Sequence, residues 1–404
     1  MPMKRYLLTA ACLTLLLASA SRSRPELPPD GGGSPTVSAA GEPRAGSWYF
    51  AVSGDSRDCG DLIMPKIARH IADRQAQTPA SFYWHLGDFR AMYRVDCDMG
   101  KREKPSFRCL PRNKSPDQTQ AMLNKYLAGA WDVFKKEEVA PFETAKIPVL
   151  LGIGNHELAG GKTRADYRKA FGRWLRHDWI RAQREADRQK GIQSIDGDTF
   201  YHFVRNGVDF IYLDNAVKNA FPPEEVAWLF KVLDADAADD SVKTIVVGMH
   251  DALPGSKSFN HAMDDAECPD VCVARGVYDR LYAAQNLSGP PSKRKRVYVF
   301  ASHSHYIQED VYNTDDHKGK VIPGWIVGTA GAEQYHESAQ DIRYGYLLVE
   351  VRPDGTLDAK FQQVRRDDQP AAPGGSGLAD YCFGENNVVP PSPKHQPCPA
   401  CSPG

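Results

Sequence analysis

Five short apolar runs in this chain each end in a compact polar block, and this recurrence limits the fold more than any other feature. The blocks are Ser53-Gly54-Asp55-Ser56-Arg57, Leu86-Gly87-Asp88-Phe89-Arg90, Gly152-Ile153-Gly154-Asn155-His156-Glu157, Gly248-Met249-His250 and Ala301-Ser302-His303-Ser304-His305. Short apolar runs alternating with longer amphipathic stretches mark an α/β protein, in which strands and helices take turns. The pattern predicts strands over Trp48 to Ser53, Ser81 to Leu86, Ile147 to Ile153, Phe200 to Val204, Val208 to Leu213, Thr244 to Met249, Val297 to Ala301, Trp325 to Val327 and Tyr344 to Val351. It predicts helices over Leu62 to Gln77, Gln118 to Glu138, Arg164 to Gln189, Glu224 to Asp234 and Val277 to Gln285. Phe89 to Pro116 and His250 to Arg275 read as long irregular segments, which in a compact domain are usually functional or without fixed structure.

The position of the polar blocks matters as much as their content. In open α/β sheets, ligands bind beyond the carboxyl ends of the strands, where glycines let the backbone turn and side chains from separate strands converge. Asp55, Asp88, Asn155, His250, His303 and His305 offer two carboxylates, one amide carbonyl and three imidazoles. Such a mixed oxygen and nitrogen set suits borderline divalent ions such as Mn, Fe, Zn or Co, and the lack of thiolate argues against a structural zinc site. Any one of these residues alone is more often a satisfied polar group at a strand end. Burying six together without a cation would leave like charges and unpaired groups costing several kcal/mol.

In their order and spacing the blocks resemble the calcineurin-like metallophosphoesterases, whose signatures run D-x-H, G-D, G-N-H-[ED], a lone His after a strand, and G-H-x-H. The likeness spans roughly Trp48 to Val364, and Gly154-Asn155-His156-Glu157 is its most specific piece. The resemblance implies a four-layer α/β/β/α sandwich of two mixed sheets flanked by helices. It implies two divalent metal ions, one on Asp55, Asp88 and His305, the other on Asp88, Asn155, His250 and His303, with Asp88 bridging. A shared water made acidic by the pair would attack phosphorus as hydroxide, and His156 would protonate the departing oxygen.

Three positions depart from the family pattern. Arg57 stands where a metal-binding His is usual, and a guanidinium cannot ligate a cation, so the first metal site is short of a ligand. Arg57 and Arg90 are read instead as clamps for the substrate phosphate. Ala91 stands where some branches carry an acid that orients the catalytic His. Ser302 replaces a Gly, which a turn tolerates if its φ is negative. His85, His202, His261 and His336 are left outside the site, since nothing in the sequence separates ligation from packing for them.

The remaining features bound the setting. Lys4 and Arg5, the apolar Tyr6 to Leu17 and Ala18-Ser19-Ala20 read as a signal peptide over residues 1–20. A lipoprotein reading through Cys12 is weaker. Residues 21–46, rich in Pro, Gly and Ser, read as a disordered linker, residues 47–366 as the folded domain, and residues 367–404 as a Pro/Gly/Cys-rich tail. No later run approaches the roughly 18 to 20 apolar residues of a spanning helix, so no transmembrane anchor is expected. Nine cysteines without Cys12 leave eight, a number suited to disulfides in a secreted or periplasmic protein. Cys97 with Cys109 and Cys268 with Cys272 are the first pairings to expect, and Cys398 with Cys401 forms an element read as structural more readily than redox. A formal charge of −1 announces no nucleic-acid partner, and the run Lys293 to Arg296 reads as a solvated loop. The expected substrate is a small-molecule or lipid phosphate ester, monoester or diester. The alternative is a non-catalytic metal- or phosphate-binding module on the same scaffold.

Overall fold

A computed structural model describes residues 46–109, 118–193, 198–258, 261–336, 340, 342–370, 376–388 and 401. The expected signal peptide, nearly all of the linker, and Cys398 lie outside the described residues. The elements run β1 (Trp48–Ser53), α1 (Gly60–Asp73), β2 (Ala80–His85), α2 (Cys97–Glu103), α3 (Gln120–Val133), α4 (Ala140–Thr144), β3 (Val149–Leu151), α5 (Arg164–Leu175), α6 (Asp178–Gln189), β4 (Tyr201–Arg205), β5 (Val208–Leu213), α7 (Pro223–Ala238) and β6 (Thr244–Met249). There follow α8 (Cys268–Ala284), β7 (Arg296–Ala301), β8 (Ile307–Glu309), β9 (Gly324–Val327), β10 (Gln334–Tyr335), β11 (Tyr344–Val351), β12 (Leu357–Val364), α9 (Ser376–Asp380) and β13 (Asn387–Val388).

Two mixed sheets result, one ordered β12-β11-β1-β2-β3 and one ordered β4-β5-β6-β7-β9-β8. In the first, β1, β2 and β3 are parallel. In the second, β5, β6, β7 and β9 are parallel and the edges antiparallel. Alternation along each strand sends one set of side chains between the sheets and the other towards helices. Aromatic rings fill the interlayer: Phe50 and Phe82 of the first sheet each meet Phe210 of the second at 5.1 Å, and Phe300 lies 5.9 Å from Phe50. On the outer face of the second sheet, Ile211, Val247 and Val299 pack with Leu229 and Val232 of α7 and Leu281 of α8. The outer face of the first sheet packs Ile63 and Ile67 of α1 and Phe142 of α4 into the other core. The architecture is the expected α/β/β/α sandwich.

Several boundaries differ from expectation for local reasons. The helix expected over Arg164 to Gln189 breaks at Arg176 and His177, where His177 Nδ1 accepts from Trp179 N at 3.3 Å and caps α6. The helix expected over Gln118 to Glu138 ends at Val133 and passes through a π-helical stretch, Phe134–Val139, before α4. β12 was not expected: it is a half-exposed edge strand whose Asp358, Lys360 and Gln362 interrupt any apolar run. Cys97 pairs with Cys109 as expected, but Cys272 pairs with Cys401 and Cys59 with Cys382. Cys268 and Cys272 lie one turn apart on α8, where Cβ atoms sit roughly 5–6 Å apart, beyond the roughly 3.5–4.5 Å a disulfide spans. Cys268 is exposed and unpaired among the described residues.

Candidate functional site

Each chemistry-bearing block follows the carboxyl end of a parallel strand: Asp55 after β1, Asp88 after β2, Asn155 and His156 after β3, His250 after β6, His303 and His305 after β7. The turns are tight. Asp55, Asp88 and His303 take φ of 61°, 58° and 60°, a left-handed conformation uncommon outside glycine and concentrated where function demands it. A Cβ on Gly154 would sit 2.3 Å from Asp88 Oδ1 and 2.8 Å from His250 Cε1, so only glycine lets these chains approach. Glu157 fastens two of the turns by accepting from Asp88 N (2.8 Å), Phe89 N (2.9 Å) and Gly154 N (2.8 Å).

Hydrogen bonds behind the imidazoles decide which nitrogen faces the centre. His250 Nδ1 lies 3.1 Å from the Leu86 carbonyl, to which it can only donate, so Nε2 keeps its lone pair. His303 Nε2 lies 3.1 Å from Asp251 Oδ1, and the opposite ring nitrogen, Nδ1, faces the centre. His250 Nε2 is then 2.9 Å from His303 Nδ1, 3.1 Å from Asn155 Oδ1 and 3.2 Å from Asp88 Oδ1. Asp55, Asp88, His250 and His303 each offer a ligand atom within 4.8 Å of the others. Converging lone pairs repel unless a cation sits among them, and spacings near 3 Å are those of neighbouring donors bonded to one ion at about 2.1 Å. The residues fit a divalent cation. Burial alone would lower the His250 imidazole, yet Asp88 beside it pushes its pKa up to about 10, so without an ion Nε2 binds a proton, whose place a metal would take. Asp88, against its burial, is held well below the usual carboxylate range by His156 and His250. Burial pushes Asp251 up to about 8, with Asp88 and Asp55 adding to the rise.

The neighbouring position is built differently. His305 Nδ1 donates to the Glu333 carbonyl at 2.7 Å, turning Nε2 towards Asp55 Oδ1 at 3.4 Å. That Nε2 also faces Arg57 Nη2 at 3.2 Å. Arg57 is buried and paired with Glu333 at 3.2 Å. Arg57 and Arg94 hold the Glu333 carboxyl well below its usual range despite its burial.

His156 lines the cleft with Nε2 3.5 Å from Asp88 Oδ2. Its Nδ1 donates to the Ala91 carbonyl at 2.6 Å, so the backbone does what an acid at position 91 would otherwise do. Burial lowers its pKa to about 4, and Arg57 adds to that against the pull of Asp88. Ser302 is not among the residues of positive φ. Its hydroxyl donates to the Leu86 carbonyl at 3.1 Å, and Gly54, lacking a Cβ, leaves it room.

The cleft, about 230 Å³, is lined by Arg57, Asp88, Asn155, His156, Asn219, His261, Asp265, His303, His305 and Tyr335. A larger depression near Lys190, Lys231 and Asp234 has no converging ligand atoms among the described residues. His261 thus enters the site, its ring 4.6 Å from that of His303, and Tyr335 stacks on His305 at 4.6 Å. Asp251, Glu157 and Glu333 were also missed. Asp251 and Glu157 stand next to His250 and His156, a signal the sequence offers; Glu333 gives none.

Arg90 is placed apart from the other expected site residues. It is fully buried, with Nη1 3.0 Å from Asp98 Oδ1 and Nη2 2.7 Å from Glu138 Oε1, and a further bond to Asp61. Three desolvated carboxylates need a cation among them, and Arg90 supplies it. It does not line the cleft.

No family model and no curated protein matches the chain. Solved structures do. A dimetal phosphatase from Danio rerio aligns at 10% identity and TM-score 0.44, over 78% of this chain and 98% of that one. A purple acid phosphatase from yellow lupin (Lupinus luteus) seeds aligns at 13% and 0.46, over 80% of this chain and 52% of that one. GAP50, the anchor in the inner membrane complex of Plasmodium, aligns at 13% and 0.42, over 78% and 84%. At such identities and TM-scores these matches are likenesses of chain arrangement alone, and the chemistry of the cleft rests on its own side chains.

Proposed function

We propose that this chain is an exported, metal-dependent phosphoesterase that hydrolyses phosphomonoesters or phosphodiesters in the cleft between Asp88, His156 and His303. The observation that carries this reading is the convergence of lone pairs from Asp88, Asn155, His250 and His303, each from a different strand end, beside a histidine and a guanidinium. Those four residues would hold a divalent cation, of the Mn, Fe, Zn or Co kind by ligand type. Bound there, it supplies Lewis acidity towards water and towards the phosphoryl oxygens.

The chain's own residues do the rest. Arg57, fixed by Glu333, donates N–H bonds to the phosphoryl oxygens and orients the ester. Asn155 is followed directly by His156, whose Nδ1–H is committed to Ala91, so Nε2 is the atom turned to the departing oxygen; with the pKa lowered to about 4, it carries a proton to pass there only at acid pH. His261 and Tyr335 narrow the cleft mouth, which suits a phosphate group more than a bulky ligand. The three disulfides suit an oxidising compartment, in keeping with residues 1–20 as an export signal, 21–46 as linker and 47–366 as the catalytic domain.

The test is hydrolysis of p-nitrophenyl phosphate and bis(p-nitrophenyl) phosphate by Mn-reconstituted protein. Turnover of at least one, abolished by chelation and by Asp88→Asn, is expected. A wild type that binds metal yet leaves mono- and diesters intact would refute hydrolysis and favour a binding module.

A further inference from the structure

We propose that the guanidinium of Arg57 takes the place of the second cation, so that the cleft loads one divalent ion rather than two. The inference rests on the reading of the cleft as a metal site, and departs from the pair of ions that the family resemblance implies.

The donors on the Asp88, Asn155, His250 side are complete and point at one another. On the other side they are not. His305 Nδ1 is committed to the Glu333 carbonyl at 2.7 Å, so Nε2 is its only lone pair, and Arg57 Nη2 meets that lone pair at 3.2 Å. A guanidinium is always charged and has no atom with which to ligate, so it satisfies His305 in place of an ion. What remains is Asp55 Oδ1 and Asp88 Oδ2, both buried and neither accepting a hydrogen bond among the described residues. Two carboxylate oxygens fall short of the three protein ligands of an open catalytic zinc site.

Arg57 is not free to swing aside. Glu333 binds it at 3.2 Å and reaches Arg94 at 3.5 Å; Arg94 in turn donates to both oxygens of Asp58 at 2.6 Å. Arg57, Glu333 and Asp58 are essentially inaccessible and Arg94 nearly so. A second dication on His305 and Asp55 would have to break a buried charge-assisted bond and then sit against the guanidinium it displaced, with like charges in a low-dielectric site. The fixed cation serves the same electrostatic end by other means. It presents N–H donors to phosphoryl oxygens where a metal would present empty orbitals.

The experiment counts ions. Full-length protein stripped with a chelator and dialysed against Mn2+ is analysed for manganese per chain, and its electron paramagnetic resonance spectrum is recorded. The expected result is one ion per wild-type chain, with the spectrum of an isolated ion. His305→Ala should leave the count at one, whereas Arg57→His, with its fold checked by circular dichroism, should gain a second ion and show exchange coupling. Two ions per wild-type chain, a coupled spectrum, or a lower count in His305→Ala would overturn the proposal. So would a folded Arg57→His that stays at one ion. The wild type and His305→Ala decide the matter even if Arg57→His does not fold. A wild type that binds no ion would overturn the metal-site reading itself, which distinguishes the two failures.

Discussion

Replacing Cys59 and Cys382 together by Ala should destabilise this protein more than the same treatment of Cys97 and Cys109. The first bridge joins residues 323 apart in sequence and the second joins residues 12 apart. A cross-link lowers the entropy of the unfolded chain with the logarithm of the loop it closes, giving ceilings of about 5.8 kcal/mol for the long loop and about 2.8 kcal/mol for the short one. Ala is the better replacement because both Cys59 and Cys382 are buried, where a Ser hydroxyl would be desolvated. The gap of about 3 kcal/mol is read from urea denaturation of both double variants under oxidising conditions. The long bridge also ties Cys59, two residues from Arg57, to the segment in which Asn386 Nδ2 donates to Tyr344 Oη at 2.7 Å and β13 pairs with β10. Hydrogen exchange should therefore quicken over 331–336, the stretch carrying Glu333 and Tyr335. A Cys59/Cys382 variant no less stable than the Cys97/Cys109 variant would refute the loop-entropy reasoning.

Three further outcomes are expected. His156→Ala should lower turnover by roughly 10²- to 10⁴-fold while manganese content is unchanged; lost manganese would contradict a role in proton transfer. Asp251→Ala removes the carboxylate 3.1 Å behind His303 Nε2, and should weaken manganese binding by about 10- to 100-fold in a calorimetric titration. His202, buried between Asp187 at 2.7 Å and Asp209 at 2.8 Å, has its pKa raised to about 10; burial opposes the rise and Asp209 and Asp187 drive it. A raised folded pKa gives stability that is full below the unfolded value near 6.5 and is lost as pH climbs through about 10. Asp236, which burial and Asp209 push up to about 9, reinforces the alkaline loss. His202→Gln should thus cost on the order of 3–5 kcal/mol at pH 6 and much less at pH 10, by denaturation at both values.

What the sequence determined was local. Apolar runs such as Val208 to Leu213 and Thr244 to Met249 became strands with unchanged ends because short length and β-branched or aromatic content mark a fully buried strand. The Gly-Asp, Gly-Asn-His and Ser-His-Ser-His blocks could be placed at strand ends because glycines and small residues mark where a strand stops and the chain turns. Edge strand β12 and the break at His177 escaped because neighbours and caps set them, not periodicity. Charged partners were beyond reach for a similar reason. A buried guanidinium goes to whichever carboxylates are desolvated beside it, and only packing decides which those are. Arg57 and Arg90 occupy equivalent places after β1 and β2, and look alike in sequence. One meets Glu333, 276 residues away, and faces the cleft; the other is enclosed by Asp61, Asp98 and Glu138. The contrast comes from α1, α2 and the π-helical stretch closing over one strand end while the segment between β9 and β10, which carries Glu333, meets the other, a choice made when the layers assemble.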